Sequence, residues 1–281
     1  MPLSTDTTSA SAVAEAILLV HGRLFPGSSD TLVRRLLADV DELFNGRYFD
    51  YQAVDIKYHD YRHTLQVTVC YVDLMAARHA ADSPPPISAR QFELGLAAVL
   101  LHDTGYLKLR SDRTGTGAKY TFCHVLRSCA LAASYLPTVG LNLDEIETVL
   151  GAIRRTGPPP AGVNPRFRNL EDQFISSAAA TADYLGQMAA SDYPDELGIL
   201  YAEFNESDDF TGQPAHRRTF QSAADLASRT PAFWRKMVKP KLEQDFGAVY
   251  HLLDAPDGTN SYIDAINRNM AIITAAAAAA R

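Results

Sequence analysis

The chain has 281 residues and a mass of 30.7 kDa, and its 26 Lys and Arg against 33 Asp and Glu give a formal charge of −7. This acidic balance argues against a dedicated nucleic-acid-binding protein, because such proteins need a basic surface to neutralise phosphates. A hydrophobic fraction of 47% and a charged fraction of 21% are typical of a folded globular protein. Three cysteines are too few for a disulfide scaffold and favour a reducing compartment.

No segment has the length and composition of a membrane span. The longest apolar run in the middle of the chain is residues 94–101, well short of the roughly 18 to 20 residues that cross a bilayer. No Lys or Arg precedes Arg23, so the basic start of a secretory signal is missing. We therefore expect a cytoplasmic protein that has no membrane partner.

Helical spacing recurs along the chain, without an alternating strand pattern. Asp30 is suited to cap a helix whose apolar residues repeat every three to four positions. Ser88 and Gln91 form a capping box before a helix that is apolar on nearly every face and is expected at the centre of the core. The helices predicted up to residue 190 are 12–21, Thr31–Phe44, 60–79, Ala89–Leu101, 120–136, 143–155 and 170–190. Three or more helices are expected after them, around Trp234.

Five of the eight histidines lie between residues 59 and 124. His59 and His63 are four residues apart, which places both rings on one helix face. His102 and Asp103 follow the apolar helix Ala89–Leu101, where burial of a carboxylate is unfavourable unless it is paired or bound to a metal. A divalent cation held by imidazole and carboxylate would stabilise such a site.

Two of these segments resemble known motifs. Residues 58–64, Tyr-His-Asp-Tyr-Arg-His-Thr, resemble the Tyr-His-Asn-x-x-His-Ala signature of cyclic-nucleotide phosphodiesterases. Residues 100–105, Leu-Leu-His-Asp-Thr-Gly, resemble the His-Asp motif of the HD superfamily of metal-dependent phosphohydrolases. That superfamily orders its site as His, then His-Asp, then a distant Asp, all on helices of an all-α core. Asp183 lies where the last Asp is expected, with Asp172 as an alternative on the same predicted helix.

The resemblance covers residues 50–190 and implies an HD-domain metal-binding core there. Residues 191–281 are then a helical extension, and the whole chain, 1–281, is expected to be a single all-α domain. The resemblance also implies metal ligation by four residues: His63, His102, Asp103 and Asp183. Asp103 would in addition serve catalysis by bridging toward a second ion, and His59 corresponds to the histidine that protonates the leaving group.

Residues 124–128 resemble a further His-Glu-x-x-Ser segment of HD hydrolases, with Val125 in place of the usual Glu. His124 therefore has three interpretations: a ligand of a second metal, a phosphate contact or a packed helix residue. Lys119 and Arg127 are predicted to contact a substrate phosphate, because cationic side chains bind phosphate strongly.

Together these residues predict a metal-dependent phosphohydrolase of the phosphodiesterase or nucleotidase type. Its cofactor would be one or two divalent ions (Mg, Mn, Zn, Fe or Ni). Its partner would be a small phosphorylated substrate, with a nucleotide as the expected substrate, and not a nucleic-acid polymer. The sequence leaves a homodimer open.

Two other functions stay open: a di-iron oxygenase of the inositol-oxygenase type, and an HD domain that senses nucleotides without catalysis. Oxygenases of this type have two histidines between the His-Asp motif and the final Asp. This chain has only His124 between Asp103 and Asp183, which favours the hydrolase.

Overall fold

The computed structural model describes residues 5–82, 86–158 and 165–279, and ten α-helices account for most of these residues. They are α1 (Ala10–Leu24), α2 (Thr31–Phe44), α3 (Tyr61–Ala80), α4 (Ala89–Leu101), α5 (His124–Tyr135), α6 (Leu143–Thr156), α7 (Leu170–Met188), α8 (Tyr193–Phe210), α9 (Ala223–Phe233) and α10 (Ser261–Ala279). The described residues form two isolated β-bridges between loops and no sheet. The predicted all-α fold is confirmed.

Capping explains where two of the predicted helices begin. The predicted capping box is present at α4, where Ser88 and Gln91 each bind the backbone N–H of the other. Asp30 precedes α2 as predicted, but its side chain makes no capping hydrogen bond and instead pairs with Arg34 at 2.8 Å. Asp30 is therefore the N-cap residue by position, as predicted, but the guanidinium of Arg34 one turn away binds the carboxylate that would otherwise cap the helix.

Helix α5 begins later than the sequence predicts, at His124 instead of residue 120. Residues Gly117–Tyr120 form a separate 3₁₀ turn. Lys119 and Tyr120 both bind Asp112, with Nζ 2.5 Å from Oδ1 and Oη 2.6 Å from Oδ2. These two contacts hold the turn against the preceding loop and separate it from α5.

Helix α4 lies at the centre of the molecule, as its apolar faces predict. All its residues from Phe92 to Leu101 are buried, and it packs against α2, α3, α6 and α7. The hydrophobic core runs from Val13 in α1 to Ile273 in α10 and includes Trp234, so the C-terminal helices share it. Among the described helices, none combines the length and apolar character that crossing a bilayer requires.

Helices α3 and α7 make the most extensive contact between two elements. A glycine allows this contact to be close: a Cβ on Gly186 of α7 would lie 2.9 Å from the backbone oxygen of Gln66 in α3. His63 lies one turn before this contact on α3, and Asp183 lies one turn before it on α7. The close approach of the two helices therefore brings these two side chains together.

Candidate metal centre

The four side chains predicted as metal ligands converge between α3, α4 and α7. Oδ2 of Asp103 lies 3.2 Å from Nε2 of His63 and 3.3 Å from Nε2 of His102. Oδ1 of Asp183 lies 3.6 Å from each of the same two nitrogen atoms. His63, His102 and Asp103 are almost fully buried, and Asp183 is 13% exposed, so the cluster lies just below the surface.

Helix ends and one glycine set these positions. Asp60 precedes α3 and its Oδ1 accepts the backbone N–H of His63 at 2.9 Å, so His63 lies in the first turn of the helix. A Cβ on Gly105 would lie 1.9 Å from the backbone oxygen of His124. Only glycine therefore lets α5 begin directly against the turn that follows Asp103.

Backbone carbonyls determine which nitrogen two of the imidazoles present. Nδ1 of His102 is 2.7 Å from the oxygen of Val99, and Nδ1 of His124 is 2.6 Å from the oxygen of Thr121. A carbonyl oxygen only accepts, so Nδ1 carries the hydrogen in both rings. In the neutral rings Nε2 is then the free lone pair that can bind a metal. Nε2 of His124 lies 3.6 Å from Oδ1 of Asp103.

The polar atoms at the centre of the cluster fit a metal ion. Nε2 of His63, Nε2 of His102 and Oδ2 of Asp103 are buried and make no hydrogen bond of acceptable geometry. Neighbouring ligand atoms about 2.1 Å from an ion lie about 3.0–3.4 Å from each other, close to the separations found here. These three residues have ligand atoms within 4.8 Å of one another, and together they can hold a metal ion.

The charges of the cluster also suit a divalent cation. Burial lowers the pKa of His63, but the adjacent carboxylates of Asp103 and Asp183 outweigh burial and raise this pKa to about 9. Burial raises the pKa of Asp183, but the imidazoles of His102 and His63 outweigh it and lower the pKa to about 2. Protonated imidazoles thus balance two buried carboxylates. A divalent cation carries the same two charges and can replace these protons.

His59 precedes α3, so the prediction that it shares a helix face with His63 is wrong. The two rings are nevertheless neighbours, with centroids 5.6 Å apart, and His59 is held by a residue that the sequence did not reveal. Its Nδ1 is 2.7 Å from Oε2 of Glu203 in α8. Oε1 of the same buried carboxylate accepts the backbone N–H groups of Lys57 and Tyr58 at 3.1 and 2.8 Å. Glu203 lies outside residues 50–190 and has no motif around it, so no sequence signal would have found it.

The two cations predicted to bind substrate have partners within the protein. Lys119 is buried, and its Nζ lies 2.5 Å from Oδ1 of Asp112. Arg127 donates to the backbone oxygen atoms of Gly105 and Leu107 at 2.6 and 2.8 Å, which ties α5 to the turn before it. Contact of Lys119 and Arg127 with a substrate stays a prediction.

Asp172, the alternative to Asp183, lies elsewhere on α7. Its Oδ1 accepts from Oγ1 of Thr148 at 3.1 Å, and its Oδ2 accepts from Nε of Arg168 at 3.0 Å. Asp172 therefore joins the start of α7 to α6, and Asp183 is the carboxylate of α7 that faces the histidines.

Comparisons of this chain with family models, curated proteins and solved structures found no match.

Proposed function

We propose that this chain is a metal-dependent phosphohydrolase of the HD superfamily that acts on a small phosphate ester. One observation carries the proposal: His63, His102, Asp103 and Asp183 converge in the order that the HD motif predicts. Their facing atoms are separated by distances suited to the ligands of one ion. Their two nitrogen and two oxygen donors, without a thiolate, suit ions such as Mn, Fe or Zn.

Within this proposal each residue has a defined task. A divalent ion held by His63, His102, Asp103 and Asp183 would polarise a phosphoryl oxygen and lower the pKa of a bound water. Nδ1 of His59 is engaged by Glu203, which leaves its Nε2 to donate a proton to the departing oxygen. Glu203 would also fix the orientation of this ring, because its carboxylate oxygen accepts the hydrogen at Nδ1.

His124 supports a second ion in this proposal. It faces Oδ1 of Asp103, while Oδ2 of the same carboxylate faces His63 and His102. Asp103 would therefore be shared between two ions, and His124 would be a ligand of the second.

Metal analysis combined with a panel of phosphate esters tests the proposal. The purified protein is loaded with Mn, Zn or Fe and assayed for phosphate release from nucleoside monophosphates, cyclic nucleotides and nitrophenyl esters. We expect His102→Ala to lose both bound metal and turnover. His216→Ala is the control, because His216 is exposed and lies in no motif, and it should keep both.

Two outcomes would contradict the hydrolase. One is a fully metal-loaded protein that hydrolyses no ester of the panel. The other is an activity that requires iron and O₂ and consumes oxygen while every phosphate ester stays intact, which would indicate the oxygenase. A hydrolase should give the same rate with and without air.

A further inference from the structure

A tyrosine lies against two of the imidazoles at the site. Tyr106 belongs to the 3₁₀ turn Thr104–Tyr106, three residues after Asp103, and is 2% exposed. Its ring centroid is 4.6 Å from that of His59 and 4.6 Å from that of His124, and the ring planes are inclined by 14° in both pairs. Tyr106 is therefore stacked with both imidazoles.

The two imidazoles are also close to each other. The centroids of His59 and His124 are 6.3 Å apart, and the two ring planes are inclined by 27°. The ring of Tyr106 is therefore a stacking partner shared by two neighbouring imidazoles.

The ring of Tyr106 restrains the orientation of both imidazoles more than their hydrogen bonds alone would. Each imidazole has one hydrogen bond at Nδ1, from His59 to Glu203 and from His124 to the carbonyl of Thr121. One hydrogen bond fixes an edge of the ring, but the ring can still turn about that contact. A flat aromatic surface against its face opposes this rotation.

The ring of Tyr106, more than its hydroxyl, makes these contacts. The side chain packs in a small apolar cluster with Ile56 and Ala118. Its buried hydroxyl makes no hydrogen bond of acceptable geometry with the described residues. Phenylalanine would therefore keep the contacts that matter, whereas an aliphatic side chain would remove the flat surface.

We propose that Tyr106 is a positioning residue whose ring, stacked with His59 and His124, holds both imidazoles in the orientations that catalysis requires. The catalytic part of this inference rests on the proposed hydrolysis, since it assigns proton donation to His59 and ion binding to His124. The stacking itself does not depend on that reaction.

NMR of the imidazole protons tests the stacking in the wild-type protein, Tyr106→Phe and Tyr106→Leu. His59 and His124 both stack with the tyrosine ring, so its ring current should shift their ring protons upfield. We expect Tyr106→Phe to keep these shifts and Tyr106→Leu to lose both of them together. His216 provides the reference, because it is exposed and stacks with no described ring. Unchanged His59 and His124 resonances in the leucine variant would overturn the proposal.

Kinetics test whether the ring acts through His59. A general acid typically raises the rate by about a hundredfold to ten-thousandfold. We expect Tyr106→Leu to lose part of this contribution, so that kcat falls by at least about tenfold and KM changes little. Tyr106→Phe should restore the rate. Combining Tyr106→Leu with His59→Ala should cost less than the product of the two single losses, because only the effect of the tyrosine on His124 then remains. Losses that multiply would contradict this, as would an equal loss in the phenylalanine variant.

Folding and activity are separated by two further measurements. If Tyr106→Leu does not fold, Tyr106→Met fills the volume without a flat ring and takes its place. If both fail to fold while Tyr106→Phe folds, the ring serves packing and the proposal is wrong. If the wild-type protein hydrolyses no ester, the proposed function fails, and the spectra still decide whether Tyr106 orients the imidazoles.

Discussion

Two carboxylates of α7, Asp183 and Asp172, form a matched pair for testing the metal centre. Asp183→Asn should weaken metal binding by at least about a hundredfold, because a neutral amide replaces an anionic donor next to two imidazoles. Asp172→Asn makes the same chemical change on the same helix. Because Asp172 contacts Thr148 and Arg168 and not the histidines, this variant should keep the wild-type metal content. Elemental analysis and calorimetric titration measure the difference. Equal metal affinity in the two variants would show that Asp183 is not a ligand.

The proton donor can be tested without disturbing the ion. His59→Ala should keep its metal and lose about a hundredfold to ten-thousandfold in turnover on esters with a poor leaving group. The loss should shrink for nitrophenyl esters, whose leaving group needs no proton. Glu203→Gln should lose less, because the amide keeps one acceptor oxygen in place of the two that hold Nδ1 of His59 and the backbone N–H groups of Lys57 and Tyr58. The same loss on good and poor leaving groups would exclude His59 as the acid.

The residues of the site differ in how far a sequence can reveal them. His63, His102 and Asp103 belong to short motifs, in which spacing along one helix or at its end carries the information. Glu203 reaches His59 from 144 residues away, through the packing of α8 against the loop before α3. The spacing of residues along the chain gives no information about such a contact. The same holds for the stacking of Tyr106 with two imidazoles.

At the level of elements, the helices were predictable because the causes of helix formation are local. Apolar spacing and the capping box at Ser88 place α4 in the sequence, and its uniformly apolar surface places it in the core. Helix ends follow from competing contacts that a pattern does not reveal. The contacts of Lys119 and Tyr120 with Asp112 delay the start of α5, and Arg34 takes the carboxylate of Asp30.

The distance between α3 and α7 should control metal binding, and Gly186 sets that distance. Gly186→Ala places a Cβ 2.9 Å from the backbone of α3. A backbone atom cannot move aside as the end of a flexible side chain can. We expect the helices to separate, the unfolding free energy to fall by about 1–3 kcal/mol, and metal affinity to fall with it as His63 moves away from Asp183.

Gly198→Ala is the control for this change. Gly198 lies in α8, is exposed, and a Cβ there would meet no atom within 4 Å. Alanine should therefore stabilise the helix by up to about 1 kcal/mol and leave metal binding unchanged. Denaturant unfolding and metal titration compare the two variants. A Gly186→Ala protein as stable as the wild type would mean that this contact does not limit the approach of α3 and α7.

At the scale of the whole molecule, the site exists only where distant parts of one core meet. Its side chains come from α3, the end of α4, the start of α5 and the second half of α7, with Glu203 added from α8. Helix α8 also holds the loop before α5, since Glu206 accepts from Oγ1 of Thr116 at 2.6 Å. The C-terminal helices thus contribute to the site from outside residues 50–190, and binding at the site should stabilise the entire fold.

Metal removal should therefore lower the stability of the whole chain. The buried Nε2 of His63, Nε2 of His102 and Oδ2 of Asp103 lack hydrogen bonds of acceptable geometry, and an ion would satisfy all three. A free ion concentration of a hundred times Kd raises the free energy of unfolding by about 2.7 kcal/mol. For a domain near this size, this corresponds to an increase of about 5–10 °C in the unfolding temperature. Chelation should lower the unfolding temperature by that amount, and added metal should restore it. Asp183→Asn, which binds the ion weakly, should respond much less to either treatment. Suppose that elemental analysis shows that the ion has been removed and that the wild-type protein still unfolds at an unchanged temperature. The cluster would then not hold the metal in the folded state. The buried carboxylates would instead be balanced by the protons of the imidazoles alone.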